Sequence, residues 1–157
     1  MIALAFKIAA QTSSEWSKLI AAATHSPYSH VELWVGGERG AALCWSSREF
    51  DGVALVVLDL EQPEWEIVEI GAAAGREAFM AAFIAGFCAG ANGKSYDTLG
   101  LLGYKTGSGQ HDDHDVFCSE FCASALAACG ALTLPRAPWL ISPGDLYGIV
   151  SAAAAKP

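Results

Sequence analysis

The chain has 157 residues, 53% of them hydrophobic and 17% charged, which is enough apolar material for one domain with a proper core and too much for disorder over most of its length. Its formal net charge of -8, with no basic patch to offset it, argues against nucleic acid and against an anionic membrane surface as partners. A single α+β domain spanning 1–157 is expected, with no internal repeat or linker and with the tail 152–157 frayed.

In chain order, the apolar start from Met1 to Ala10 lacks a basic leading region and is interrupted by Lys7, so it reads as a strand over 2–9 and not as an export signal. Ser13 or Ser14 caps a helix from Glu15 to Ala23, with Trp16, Leu19, Ile20 and Ala23 on one face. Ser29 to Val35 alternates as a strand closed by Gly36-Gly37, placing Val31, Leu33 and Val35 toward the core and His30, Glu32 and Trp34 on the other side. Three more strands follow at about 41–46, 53–60 and 65–70, the first two joined by a polar turn over 47–52. The segment 75–89, with Phe79, Phe83 and Phe87 among alanines, predicts a helix buried against the sheet.

Tyr96-Asp97 opens a short helical piece through Leu102, and the polar run from Lys105 to Asp115 reads as a mobile loop. A helix then starts near Cys118, capped by Asp115 and stopped by Gly130, and a last short helix starts at Ser142-Pro143-Gly144-Asp145. No run is long enough to span a bilayer. Five cysteines form an odd set without framework spacing, which with the missing signal points to reduced thiols in the cytoplasm.

Of those five, Cys118 alone sits at the start of its helix, where unpaired N–H groups and the positive end of the dipole favour a thiolate nucleophile; Cys122 and Cys129 lie inside it. A thiol nucleophile needs a base and something to orient the base. Of the histidines at 25, 30, 111 and 114, only His30 lies on a clear strand, and Glu32 shares its face and can fix the imidazole tautomer. Ser46 is a second candidate for that orienting role. For substrate contact the candidates are Tyr28, Trp34, Ser46, Tyr96 and Glu120, with Trp45 an alternative apolar wall. The site requires an imidazole at a sheet edge to meet a sulfur at the mouth of a helix.

His111 and His114, with carboxylates between and after them, have donor types that suit a divalent ion, but no third anchoring ligand has matching spacing. The reading is a solvated acidic loop, with no metal and no cofactor expected. Its acids oppose a nearby thiolate, which then depends on an ion pair with His30.

Ser29-His30-Val31-Glu32-Leu33, Tyr96-Asp97, Phe117-Cys118-Ser119-Glu120-Phe121 and Ser142-Pro143-Gly144-Asp145-Leu146, in that order, resemble the circularly permuted NlpC-type, papain-like cysteine peptidases. That group includes the YiiX-like bacterial proteins and is related to the lecithin–retinol acyltransferases. The resemblance runs from about Tyr28 to Leu146. It implies an antiparallel sheet packed against a helix with the nucleophilic cysteine at its N-terminus, Cys118 as nucleophile and His30 as base. The activity it implies is that of a thiol hydrolase on an amide bond, with cell-wall peptide as the family-level substrate and thioester or lipid acyl transfer also permitted. A small peptide or acyl substrate is the implied partner, and oligomeric state is left open.

The family's third polar residue usually lies on the strand after the histidine strand, where 41–46 offers Ser46 but no His, Glu, Asn or Gln. Either Glu32 substitutes from the histidine's own strand, or the site is a dyad. Two rivals stand beside the hydrolase: a papain-like binding module without turnover, and a metal-dependent hydrolase built on the 111–115 loop.

Overall fold

A computed structural model describes residues 2–71, 75–96 and 115–154. Among the described residues the protein is α+β, with a five-stranded antiparallel sheet and four α-helices. The elements are β1 (Ala3–Ile8), α1 (Glu15–Thr24), β2 (Tyr28–Gly36), β3 (Ala42–Arg48), β4 (Gly52–Leu58), β5 (Trp65–Glu69), α2 (Glu77–Ala91), α3 (Cys118–Ala128) and α4 (Pro143–Ala154). The sheet order is β4-β3-β2-β1-β5, so β2 is the central strand and not an edge. No helix among the described residues is long and apolar enough to cross a membrane.

The alternation read in β2 divides its side chains as expected. Val31 and Leu33 join Leu4 and Phe6 of β1 in the core shared with the helices. The other face is also filled. Ala3, Ala5, Trp34, Ala42, Cys44 and Leu60 form a second cluster against which Val56 and Leu58 of β4 and Trp65 and Ile67 of β5 pack. Residues from opposite edges meet over Ala3 and Ala5, so the sheet curls, and small side chains at its middle leave room for that curl. Each large aliphatic or aromatic side chain fully buried here contributes roughly 1.5–3 kcal/mol.

The pairing of β2 with β3 is short. Their ladder begins at Leu33 opposite Trp45 and ends at Gly36 opposite Leu43, while β3 stays paired with β4 all the way to Arg48 opposite Gly52. Beyond Leu33 no further β2–β3 pair forms, and along this stretch both strands contact the α3 region: Ser47 Oγ donates to the Val116 carbonyl at 2.6 Å, and the Cys122 thiol faces the Val31 carbonyl at 3.9 Å. The β3–β4 turn is pinned from outside. Gly52 has φ 63, a Cβ there would lie 2.1 Å from the Lys94 carbonyl oxygen, and that oxygen accepts from Val53 N–H at 2.8 Å.

Several elements differ from expectation. Ser47 and Arg48 belong to β3 and not to the turn, because both side chains have partners inside the fold. In α1 the buried positions are Ser17 and Ile20, and Leu19 is 55% exposed on the far side. α2 is not buried against the sheet: α3 and α4 cover β2, so α2 packs on α3 through Met80, Ile84, Cys88 and Ala91 and leaves Phe79 and Phe83 largely outside. Asp115 does not cap α3; it bridges to Ser95, and Phe117 is the N-cap without a side-chain hydrogen bond. The C-terminal helix continues through Ala154, past the point where fraying was expected. The predicted helical piece from Asp97 to Leu102 and the loop from Lys105 to His114 lie outside the described residues.

Ser142-Pro143-Gly144-Asp145 forms a capping box. Asp145 N–H donates to Ser142 Oγ at 3.1 Å, and Asp145 Oδ2 accepts from Ser142 N–H at 3.0 Å and from its hydroxyl at 2.7 Å. Gly144 is required by a close approach, since a Cβ there would lie 2.1 Å from Ser26 Oγ and 2.5 Å from its Cβ. Gly148 on the same helix has nothing within 4 Å of that position. Gly144→Ala is therefore expected to cost about 1–3 kcal/mol of unfolding free energy through overpacking, whereas Gly148→Ala should be neutral or gain up to about 1 kcal/mol from helix propensity. Equal urea-unfolding midpoints for the two variants would show that the close approach is not felt.

Candidate functional site

His30 sits near the start of β2, where the strand is no longer paired with β3, and Cys118 is the first residue of α3. The imidazole Nε2 lies 3.0 Å from Glu32 Oε1, and Cys118 is near enough to act on the ring electrostatically. A carboxylate only accepts, so Nε2 carries a proton, and Nδ1 is the nitrogen left for the sulfur. Burial works against protonation of His30, but the electrostatic influence of Cys118 and Glu32, with the hydrogen bond to Glu32, outweighs it and raises the imidazole from 6.5 to about 10.

Glu32 is fully buried. Burial alone pushes its carboxyl up, yet the positive His30, the hydrogen bond from His30, the Arg48 guanidinium and the Ser46 hydroxyl hold it below the ordinary carboxylate range. Arg48 reaches Glu32 Oε1 from across the gap, with Nη2 at 2.9 Å and Nε at 3.3 Å, and its Nε also donates to Ser46 Oγ at 2.8 Å. The structure thus brings together Cys118, His30 and Glu32, and sets Ser46 behind them as a support of the carboxylate.

The other cysteines are in different positions. Burial pushes the Cys88 thiol up to about 12; burial and the charge of Glu32, partly offset by Arg48, do the same to Cys44. Cys122 is raised well above the ordinary range by burial and then by neighbouring charges, Cys118 first.

A cleft of about 470 Å³ opens over this group, within the ~300–1,000 Å³ usual for ligand pockets. His30, Glu32, Arg48 and Tyr96 line it, with Trp16 of α1, Phe50 of the β3–β4 turn and Trp65 of β5 as aromatic walls. Lys7 is held at its side by Glu64 at 3.1 Å and lies 5.5 Å over the Trp65 ring. Cys118 is 1% exposed and is not among the residues lining the cleft; the imidazole stands between it and the opening.

Of the expected substrate contacts only Tyr96 reaches this cleft. Tyr28 is packed against Phe6 and Tyr147, with its hydroxyl donating to Glu66 Oε2 at 2.6 Å, because the bulge at β1 Lys7/Ile8 turns it to the helix side. Trp34 belongs to the inner cluster of the curled sheet, and its Nε1–H donates to the Gly36 carbonyl at 2.6 Å. Trp45 packs against the main core. Ser46 is buried and touches Arg48, not the cleft. Glu120 lies in the first turn of α3 but faces a separate cavity of about 210 Å³ with Phe87, Phe121 and Trp139, since two residues along a helix turn a side chain well away from that of Cys118. His111 to His114, the proposed metal-binding alternative, lie outside the described residues. His25 is the left-handed C-cap of α1 at φ 51.

Reading the sequence missed Arg48, Trp16, Phe50 and Trp65. For Arg48 a signal existed: Cys44, Ser46 and Arg48 continue one alternation on β3, opposite Glu32 and His30.

No protein-family model matches the chain, and no curated protein matches it.

Because the His30 pKa is raised in the folded protein, its contribution to stability is fully present below pH 6.5 and is lost as pH rises through about 10. The unfolding free energy of the wild type is expected to fall between those values by more than that of His30→Gln, measured by urea unfolding across the range. Parallel curves would mean that the imidazole gains nothing from Glu32 and Cys118.

Proposed function

We propose that the chain is a cysteine hydrolase or acyltransferase of the permuted NlpC-type, papain-like kind, cleaving an amide bond such as that of a cell-wall peptide. One observation carries the reading: His30 is hydrogen-bonded to a buried carboxylate and is electrostatically coupled to the thiol at the start of α3. In this reading Glu32, on the histidine's own strand, is the orienting residue, and the partner is a small peptide or acyl substrate met in the cytoplasm.

The chemistry follows from those positions. The Cys118 sulfur attacks the carbonyl carbon, forming an S–C bond while the carbonyl electron pair moves onto oxygen. The Cys118 backbone N–H, at a helix start whose N-cap Phe117 makes no side-chain hydrogen bond, donates to that oxyanion. As the pair returns, the C–N bond breaks and His30 gives its proton to the leaving amine. His30 then takes a proton from water, or from another acceptor, which attacks the thioester and releases the sulfur. Glu32 keeps Nε2 protonated throughout, so Nδ1 is the nitrogen that exchanges the proton.

A second reading, a papain-like binding module without turnover, is favoured by one fact: the cleft touches His30 and Glu32 but not the 1%-exposed Cys118. Labelling with iodoacetamide across pH separates the two, because it demands both a reactive and a reachable sulfur. On the hydrolase reading Cys118 is modified first among the five cysteines, well below the ordinary thiol value of about 8.5, and His30→Ala removes that advantage by tenfold or more. Slow, unselective labelling of several cysteines would leave the binding module.

A further inference from the structure

We propose that Arg48 is the positioning residue of this site, a guanidinium at the end of β3 that holds Glu32 ionised and turned toward His30; the inference rests on the hydrolase reading given above. Three donors converge on one oxygen, Glu32 Oε1: His30 Nε2 at 3.0 Å, Arg48 Nη2 at 2.9 Å and Arg48 Nε at 3.3 Å. Glu32 is 0% exposed, and a carboxylate taken wholly out of water is unfavourable unless paired and hydrogen-bonded. His30 alone cannot supply that pairing through a reaction in which it gives up and regains a proton. Arg48 stays charged at every step.

The guanidinium is placed by more than its own contacts. Arg48 faces Gly52 across the β3–β4 turn, and Gly52 is locked against the Lys94 carbonyl, so the backbone that carries Arg48 is fixed from the far side. Ser46 Oγ, two residues earlier on the same face, accepts from Nε at 2.8 Å and sets the plane of the fork. The ladder between β2 and β3 ends at Leu33 and Trp45, so the Arg48–Glu32 pair and the start of α3 span the gap that backbone pairing leaves open. Among the described residues, the charged and titratable groups around Glu32 are His30 on its own strand, Arg48 and Cys44 on β3, Cys122 on α3, and Cys118 on α3 through His30. Lys7, opposite His30 on β1, is engaged by Glu64. Arg48 is the cation in direct contact with the carboxylate that does not take part in proton exchange.

The test uses the full chain and the variants Arg48→Met, Arg48→Lys and the pair Glu32→Gln with Arg48→Met, each checked for folding by circular dichroism and thermal midpoint. Two readouts are taken: the pH profile of Cys118 alkylation, and the titration of the Glu32 carboxyl carbon by ¹³C NMR. In Arg48→Met both the Glu32 midpoint and the acid limb of Cys118 labelling should move up by a pH unit or more, and Arg48→Lys should recover at least half of each shift. The double variant should label like Glu32→Gln alone, which keeps the proposal testable if Arg48→Met is too unstable to study. A Glu32 midpoint unchanged in Arg48→Met or a double variant tenfold slower than Glu32→Gln would overturn the proposal. If Cys118 proves no more reactive than the other cysteines while the Glu32 midpoint still moves with Arg48, the hydrolase reading fails and the positioning role stands.

Discussion

Glu32 is a charged group on the central strand of a sheet, with no exposure to water, and most of the site can be understood as the set of conditions under which it stays charged. It requires donors, and the donors come from two different strands: His30 from its own and Arg48 from the next. A carboxylate so held has a second effect. It fixes the proton on Nε2 of His30 and leaves Nδ1 for the sulfur, so one buried ion determines which ring nitrogen does the work. Replacing either donor leaves a buried charge short of partners, which in general is costlier than never having buried the charge.

The backbone accommodates this arrangement by giving up pairing. β2 and β3 stop sharing hydrogen bonds below Leu33, in the stretch that carries His30 and Glu32 opposite Ser46 and Arg48. An ordinary ladder would keep the imidazole on one face of the sheet and the helix on the other. In this unpaired stretch Ser47 ties β3 to the Val116 carbonyl just ahead of α3, which brings the first residue of that helix near enough to act on His30. The curl of the sheet over Ala3, Ala5 and Ala42 then leaves the cleft above His30, Glu32 and Arg48.

How much of this was legible in the chain depends on the kind of signal. Local chemistry was read well: Ser14 caps α1, Ser142 and Asp145 cap α4, the chain leaves α3 at Gly130, and the alternation of 29–35 divides the strand as expected. That His30 and Glu32 share a face was legible from strand period, and the place of Cys118 at the start of α3 from the helix pattern. What stayed hidden were facts about neighbours. Phe79 and Phe83 looked like core residues because apolar composition does not say which helices reach the sheet first, and α3 and α4 do. Tyr28 was misplaced because a bulge, invisible to period counting, turns it over to Glu66 and Tyr147. Arg48 was assigned to a turn because polar residues ahead of a Gly resemble one, while the partner that makes it a strand residue lies sixteen positions earlier.

The same packing explains why five cysteines need not compete. Cys122 follows Cys118 by one helical turn, on the same side, yet its sulfur is pressed against the Val31 carbonyl inside the core and its proton is held there by burial. Cys88 and Cys44 are sealed likewise, one on α2 and one on the inner face of the sheet. Cys118 is equally buried by area, so exposure does not distinguish it. Its neighbour does: it is the thiol that acts on the His30 imidazole, and it is the first residue of a helix whose N-cap, Phe117, makes no side-chain hydrogen bond. What sets Cys118 apart from the other four is therefore its coupling to His30, whose ring is held by Glu32, the carboxylate that Arg48 also contacts.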